Sequence, residues 1–146
     1  MNPIAPTLLE LARTQLQRQE TEAASASLAA ALALEPAFLE AHNLREAHAL
    51  PGNFSDMMGV DARISPDDDI FRFFAGHPTS VNPLRDYLAD GWRTMVELQA
   101  VLEACGRSVR GSGAFLEFAS GHGRFTRHLR KAVPEGALWV SDVVPG

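Results

Sequence analysis

With 146 residues, 46% hydrophobic and 21% charged, the chain has the length of one ordinary domain and the balance of a soluble globular protein. A net charge of −5 argues against nucleic acid as the main partner, and the longest apolar stretch, Ser27 to Leu34, is too short to span a bilayer, so no membrane partner is expected. No basic segment with a cleavage site opens the chain, which predicts a cytoplasmic location, and the lone Cys105 excludes an internal disulfide.

The chain reads as three segments. Residues 1–50 predict a helical hairpin running from about Thr7 to Leu50, strongest in ASASLAAALALEPAFLEAHN. Leu11 and Ala12 in the first helix, Ala24 and Ala31 in the second, and Pro36 closing the stretch resemble a tetratricopeptide unit. Small residues fall where two helices approach closely, and proline sits just past a helix end but not inside one. The next unit is incomplete and degenerate at Arg45 and Glu46. A repeat buries its apolar face only against a neighbour, so two uses stay open. The hairpin is either a docking surface for a protein partner, or an alanine-rich element that packs on the rest of the protein or forms a homodimer.

Pro51 and Gly52 open a helical linker or cap region that extends through residue 110. Within it Ser65-Pro66-Asp67-Asp68-Asp69 precedes Ile70, Phe71, Phe73 and Phe74. Consecutive acids on a helix point in different directions and lack the spacing of a calcium loop. They read as a helix start, with Ser65 as N-cap, Pro66 at the first helical position and the acids facing the helix dipole. Gly76, His77, Pro78 and Asn82-Pro83 end that helix and begin another, Leu84 to Ala104. Its Tyr87, Leu88, Trp92, Met95, Leu98, Val101 and Leu102 recur at spacings of three and four, which predicts a packing helix. Cys105, at its end, reads as a packing residue rather than a nucleophile. His42, His48, His77, His122 and His128 show no paired ligand spacing, so no metal site is expected.

The third segment, residues 111–146, carries the chemistry. Phe115-Leu116-Glu117-Phe118 reads as a buried parallel strand, followed by Ala119, Ser120, Gly121, His122 and Gly123 as a small-residue turn and then a helix start. Such a turn lets a ligand approach the backbone, with the free amides of the helix aimed at it. Glu117 sits near the end of the strand itself, where it would oppose a dinucleotide's pyrophosphate and favour an ammonium or hydroxyls. Thr126 replaces the third small residue of a dinucleotide motif, and no Gly-Lys-Ser/Thr follows to make a P-loop. Twenty-five residues after Glu117, the run Ala137 to Ser141 ends in Asp142. A right-handed strand-helix-strand crossover would set the two strands side by side, with both acids at the carboxyl edge of the sheet. There Asp142 can accept bonds from both hydroxyls of a ribose; alone it would equally begin a turn with Pro145 and Gly146. Arg124, Arg127, Arg130 and Lys131 read as a solvated basic face of the intervening helix.

FLEFASGHGRFTRHL followed by LWVSDVVPG resembles the first motif and second-strand acid of class I S-adenosylmethionine-dependent methyltransferases. Glu117 matches the motif's acid, Ala119 stands for its first glycine, and Gly121 and Gly123 match the other two. The resemblance covers about residues 113 to 146 and implies an α/β fold, a doubly wound Rossmann-like sheet of which only the first two strands are present. It implies S-adenosylmethionine as cofactor, with Glu117 toward the ammonium, Ala119, Ser120, Gly121, His122 and Gly123 around the methionyl part, and Asp142 on the ribose. His122 would serve chiefly through its backbone amide. In such enzymes an upstream helix with an aromatic and a glycine can close over the cofactor, as Tyr87 and Gly91 would; core packing is the other use of Tyr87. The acceptor implied is a small molecule or a sugar. The seven strands of that family make this sequence an amino-terminal fragment, expected to be inactive alone. Two other functions remain open: a helical protein-interaction adaptor with a degenerate sheet, and a nicotinamide-dependent oxidoreductase.

Overall fold

The computed structural model describes residues 2–133 and 137–143; the turn expected at Pro145 and Gly146 lies outside them. The described residues form seven α-helices and one two-stranded parallel sheet, a mixed α/β content in which helix dominates. The chain divides into two compact units at Leu84–Arg85, inside the first turn of a long helix. The region expected as a linker, 51–110, falls on both sides of that division.

In the first unit α1 (Ile4–Gln17), α2 (Thr21–Leu34) and α3 (Leu39–Ala47) enclose a core of Ala5, Leu9, Ala12, Ala24, Leu28, Ala31, Phe38, Ala41 and Leu50. The spacing of Ala5, Leu9 and Ala12, and of Ala24, Leu28 and Ala31, places each set along one helix face, and the alanines let the helices approach closely. Leu11 is a correction: it is 47% exposed, and Leu9 takes the core position. From Leu9 to Leu11 is two residues, or about 200° around a helix, so the two cannot share a face.

The positions that break the repeat pattern have a structural use. Glu46 is buried, yet its Oε1 accepts from the Phe54 amide (2.8 Å) and its Oε2 from the Ser55 amide (2.9 Å) and hydroxyl (2.6 Å). It thereby satisfies the first amides of the short α4 (Phe54–Met58), whose N-cap Asn53 accepts from Asp56 N–H. His42, also buried, bonds through Nε2 to the Ala62 carbonyl at 2.8 Å. Asn43 pairs both ways with the Ile64 backbone, at 2.7 and 2.9 Å.

The expected Ser65 cap is also corrected. Helix α5 (Asp69–Gly76) starts three residues later than Pro66, and Asp68 is its N-cap, accepting from the Ile70 and Phe71 amides at 2.9 and 3.0 Å. Ser65 instead makes a local turn, its hydroxyl accepting from Asp67 N–H and its carbonyl from Asp68 N–H. A buried carboxylate that reaches two amides outcompetes a hydroxyl that reaches one. Asp67 and Asp69 lie outside and pair with Arg72.

Helix α6 (Pro83–Ala104) opens on a proline, whose fixed φ and missing amide suit the first helical position. From Arg85 onward it belongs to the second unit, with β1 (Ala114–Phe118), α7 (Thr126–Ala132) and β2 (Ala137–Ser141). Met95, Val109, Leu129 and Val133 form the core there, with Leu98, Leu102, Phe115, Phe125 and Leu138 packed against it. Tyr87 and Leu88 are buried as expected of a packing face; Trp92 and Val101 are exposed and lie off it. Cys105, expected to pack, is exposed, because the chain turns out of the helix at Gly106 with φ +69°.

Strands β1 and β2 are adjacent and parallel, with Glu117 opposite Val140 and Phe118 opposite Ser141. Alternation along β1 turns Phe115 and Glu117 toward the helices and leaves Leu116 and Phe118 on the other face, Phe118 82% exposed. The strand predicted as buried therefore has one covered face, and Trp139, paired with Leu116, is exposed beside it.

Candidate functional site

The segment from Glu117 to Arg127 is a strand end, a turn of positive φ angles and a helix start. Ala119, Gly121 and Gly123 have φ of 57°, 54° and 76°, the left-handed region that glycine enters without strain and alanine does not. Ser120 N–H donates to the Ser141 carbonyl at 3.1 Å, which carries the β1–β2 ladder past Phe118 and holds the turn to the neighbouring strand. The Gly123 amide closes the turn on the Ser120 carbonyl at 3.1 Å.

Both predicted acids stand at the carboxyl ends of paired strands. The register puts Asp142 one position beyond the Phe118–Ser141 pair, level with Ala119 and two residues past Glu117, about 7 Å further along the strand direction. Asp142 is tied to the turn, its Oδ2 accepting from Gly121 N–H at 2.6 Å. A carboxylate has about four acceptor positions, so this bond does not exhaust it. Three turn amides thus have internal partners, Ser120 on Ser141, Gly121 on Asp142 and Gly123 on Ser120. The free amides were expected of the helix that follows, where Arg127 N–H donates to the Gly123 carbonyl and His128 N–H to the Phe125 carbonyl. The seven-residue α7 has no side-chain cap at Phe125.

Glu117 is half-buried on the helix-facing side, and Thr126 Oγ1 donates to its Oε2 at 2.6 Å. Burial pushes the Glu117 carboxyl above the usual carboxylate range, while the Thr126 bond and the Arg124 charge pull against that rise. Thr126, the residue that spoils a dinucleotide motif, is therefore a partner of the acid. Sequence reasoning missed this role, and the signal available was its place at the helix start directly after the turn.

The basic run from Arg124 to Lys131 is solvated at Arg130 and Lys131 but not at Arg124 and Arg127. Arg124 forms an ion pair with Asp90 of α6, both about three-quarters buried. Arg127 donates from Nε to the Gly123 carbonyl at 3.0 Å and lies over the Tyr87 ring, 5.8 Å from its centre. Arg130 and Lys131 are exposed. Tyr87 is fully buried, so of the two uses foreseen for it, core packing is the one observed. Gly91 is where α6 meets the turn: a Cβ there would lie 2.3 Å from the Arg124 carbonyl oxygen and 3.2 Å from the His128 ring. His128 is buried, and its Nε2 has no hydrogen-bond partner. Burial, helped by the charges of Arg127, Lys131 and Arg124, lowers its pKa to about 4 despite a bond to the Leu88 backbone. His122 is half-buried in the turn, and its carbonyl lies 3.5 Å from Arg127 Nη2.

The arrangement presents two carboxylates and a tight turn at one sheet edge, and it holds its nearby cations elsewhere. Such a site suits a ligand with a positive group and hydroxyls. Among the described residues no helix is long and apolar enough to cross a membrane. Comparison with models of protein families, with curated proteins and with solved structures gave no match.

Proposed function

We propose that this chain binds S-adenosylmethionine through the turn Ala119 to Gly123, Glu117 and Asp142, and serves methyl transfer as a class I methyltransferase of the doubly wound type. The observation that carries the proposal is the bond from Gly121 N–H to Asp142, which joins the turn after the first strand to the acid after the second at one sheet edge. The left-handed φ of Ala119 adds support, because it falls where the family motif has its first glycine.

The residues fit the group chemically. Glu117, partly desolvated and already oriented by Thr126, offers a carboxylate to an ammonium. Asp142 can keep the Gly121 bond and still accept from a ribose hydroxyl. Ser120, Gly121, His122 and Gly123 supply a path along which a ligand can run close to the backbone. The cofactor supplies an electrophilic methyl on a sulfonium. The chain's part is to orient it for in-line attack by an acceptor, for which a small molecule or a sugar is proposed. The α1–α2 hairpin is proposed as a contact for a protein partner or a second copy.

A nicotinamide dinucleotide fits less well. Its pyrophosphate would meet two carboxylates and a turn whose Gly121 and Gly123 amides have internal partners. The test is calorimetric titration of S-adenosylhomocysteine, with NADH as comparator, into the protein and its Asp142→Ala and Glu117→Gln variants. Saturable binding of the first ligand alone is expected, weakened about 10-fold or more by either substitution, the loss of one to two charge-assisted bonds. Unchanged affinity in Asp142→Ala refutes the ribose assignment, and binding of neither ligand refutes the proposal.

A further inference from the structure

Arg124 directly follows the glycine turn, and the acid of that turn is Glu117. An arginine so placed would be expected to pair with it. It does not: Arg124 Nη1 is held by Asp90 Oδ2 on α6, and Asp90 Oδ1 is held in turn by Arg93. Among the described residues, the hydrogen bond to the Glu117 carboxylate comes from Thr126. The contact is built into the helix, since Gly91, adjacent to Asp90, allows α6 to touch the Arg124 carbonyl where any side chain would collide. The other nearby guanidinium, Arg127, is kept on the Gly123 carbonyl and over Tyr87.

We infer that Asp90 is a positioning residue of the proposed cofactor site: by retaining Arg124 on α6, it keeps that cation off Glu117 and leaves the carboxylate to a ligand ammonium. The inference rests on the methyltransferase reading for the ligand, but not for the Arg124–Glu117 relation itself. The Arg124 charge already reaches Glu117 and favours its ionised form, although the two groups are not within ion-pair distance. With Asp90 neutralised, the guanidinium loses its partner and has a half-buried carboxylate within reach. Arginine pairs with carboxylates in a two-pronged geometry, which would occupy the oxygens an ammonium needs. Asp90 thus works by competition, and its loss harms the site only while Arg124 is present.

That dependence separates the inference from a merely structural salt bridge. S-adenosylhomocysteine and 5′-methylthioadenosine, which lacks the ammonium and carboxylate, are titrated into wild type, Asp90→Asn, Arg124→Gln and the double variant. Asp90→Asn is expected to weaken S-adenosylhomocysteine about 10-fold, the low end of an opposite charge's effect on a carboxylate, and to leave 5′-methylthioadenosine unchanged. Arg124→Gln should bind at least as well as wild type, and the double variant should recover to within about 3-fold of it. Equal weakening of both ligands, or a double variant no better than Asp90→Asn, overturns the inference. A ligand-free readout is the carboxyl-carbon NMR titration of Glu117, whose midpoint should fall by about one pH unit in Asp90→Asn and return in the double variant. An unmoved midpoint overturns the inference even if the cofactor binds. A moved midpoint without S-adenosylhomocysteine binding would sustain the Asp90 mechanism and refute the cofactor.

Discussion

His128 makes the second unit acid-sensitive by an amount that can be worked out. Its pKa falls from an ordinary 6.5 to about 4 because it is buried, with Nε2 unpartnered, beside Arg127, Lys131 and Arg124. Between those two values the unfolded chain binds the proton and the folded chain does not, so stability is lost as pH falls below 6.5 and the loss is complete below about 4. From pH 7 to pH 5 the proton-binding difference amounts to about 2 kcal/mol. Glu117 acts oppositely, since a raised carboxyl pKa adds relative stability as pH falls, so a single wild-type curve mixes the two. The comparison is therefore with His128→Asn, whose amide retains a donor for the Leu88 backbone and does not titrate. Trp92 and Trp139, the two tryptophans of the chain, both lie in the second unit, so urea unfolding followed by their fluorescence reports that unit. Wild type should lose about 2 kcal/mol more than His128→Asn between pH 7 and pH 5. The absolute stability of the variant does not enter the comparison. Equal losses in the two proteins would show that the imidazole is solvated in solution, and would refute the buried placement against Gly91.

Two further outcomes probe the turn and its support. Ala119→Gly should stabilise the second unit by about 0.5–1 kcal/mol in urea, the left-handed strain of alanine less the added freedom of glycine when unfolded; a destabilised variant would place Ala119 in another conformation. Gly91→Ala should destabilise by about 1–3 kcal/mol, because its methyl must push α6 off the Arg124 carbonyl, and S-adenosylhomocysteine affinity should fall with it. A variant as stable as wild type, as helix propensity alone would favour, refutes that close approach.

What was legible in the sequence was what local pattern determines. The two strands, the turn between Phe118 and Thr126 and the alanine faces of α1 and α2 all follow from periodicity and small residues, and all are present. Helix ends were less legible where glycine was missing. Helices α1 and α3 both finish through a left-handed residue with a 6→1 bond behind it, Glu20 N–H to Gln15 and Leu50 N–H to Arg45. The left-handed residues there are Gln19 and Ala49, at φ 61° and 47°, whereas α6 uses Gly106. Only the last announces itself. The supports of the site were hidden for another reason: Asp90 and Arg124 are 34 residues apart, and the local pattern around neither points to the other. Glu46 was misread as pattern decay because the amides it accepts from lie eight and nine residues downstream, in a helix of five residues.

The charges around the turn bear on which ligand class it can hold. Glu117 and Asp142 contribute two carboxylates at one sheet edge. The cations that could offset them are committed, Arg124 to Asp90 and Arg127 to backbone carbonyl and aromatic ring. The Gly121 amide, the group a phosphate would recruit, already faces a carboxylate. A polyanion entering here would displace a charge-assisted bond and meet like charge in a half-desolvated setting, a penalty that backbone amides elsewhere in the turn do not offset. An ammonium meets the reverse conditions, a carboxylate fixed by Thr126 with the Arg124 guanidinium held on Asp90. In the proposed cofactor site, selectivity would thus arise less from the glycines, which any nucleotide turn shares, than from where Arg124 and Arg127 are held.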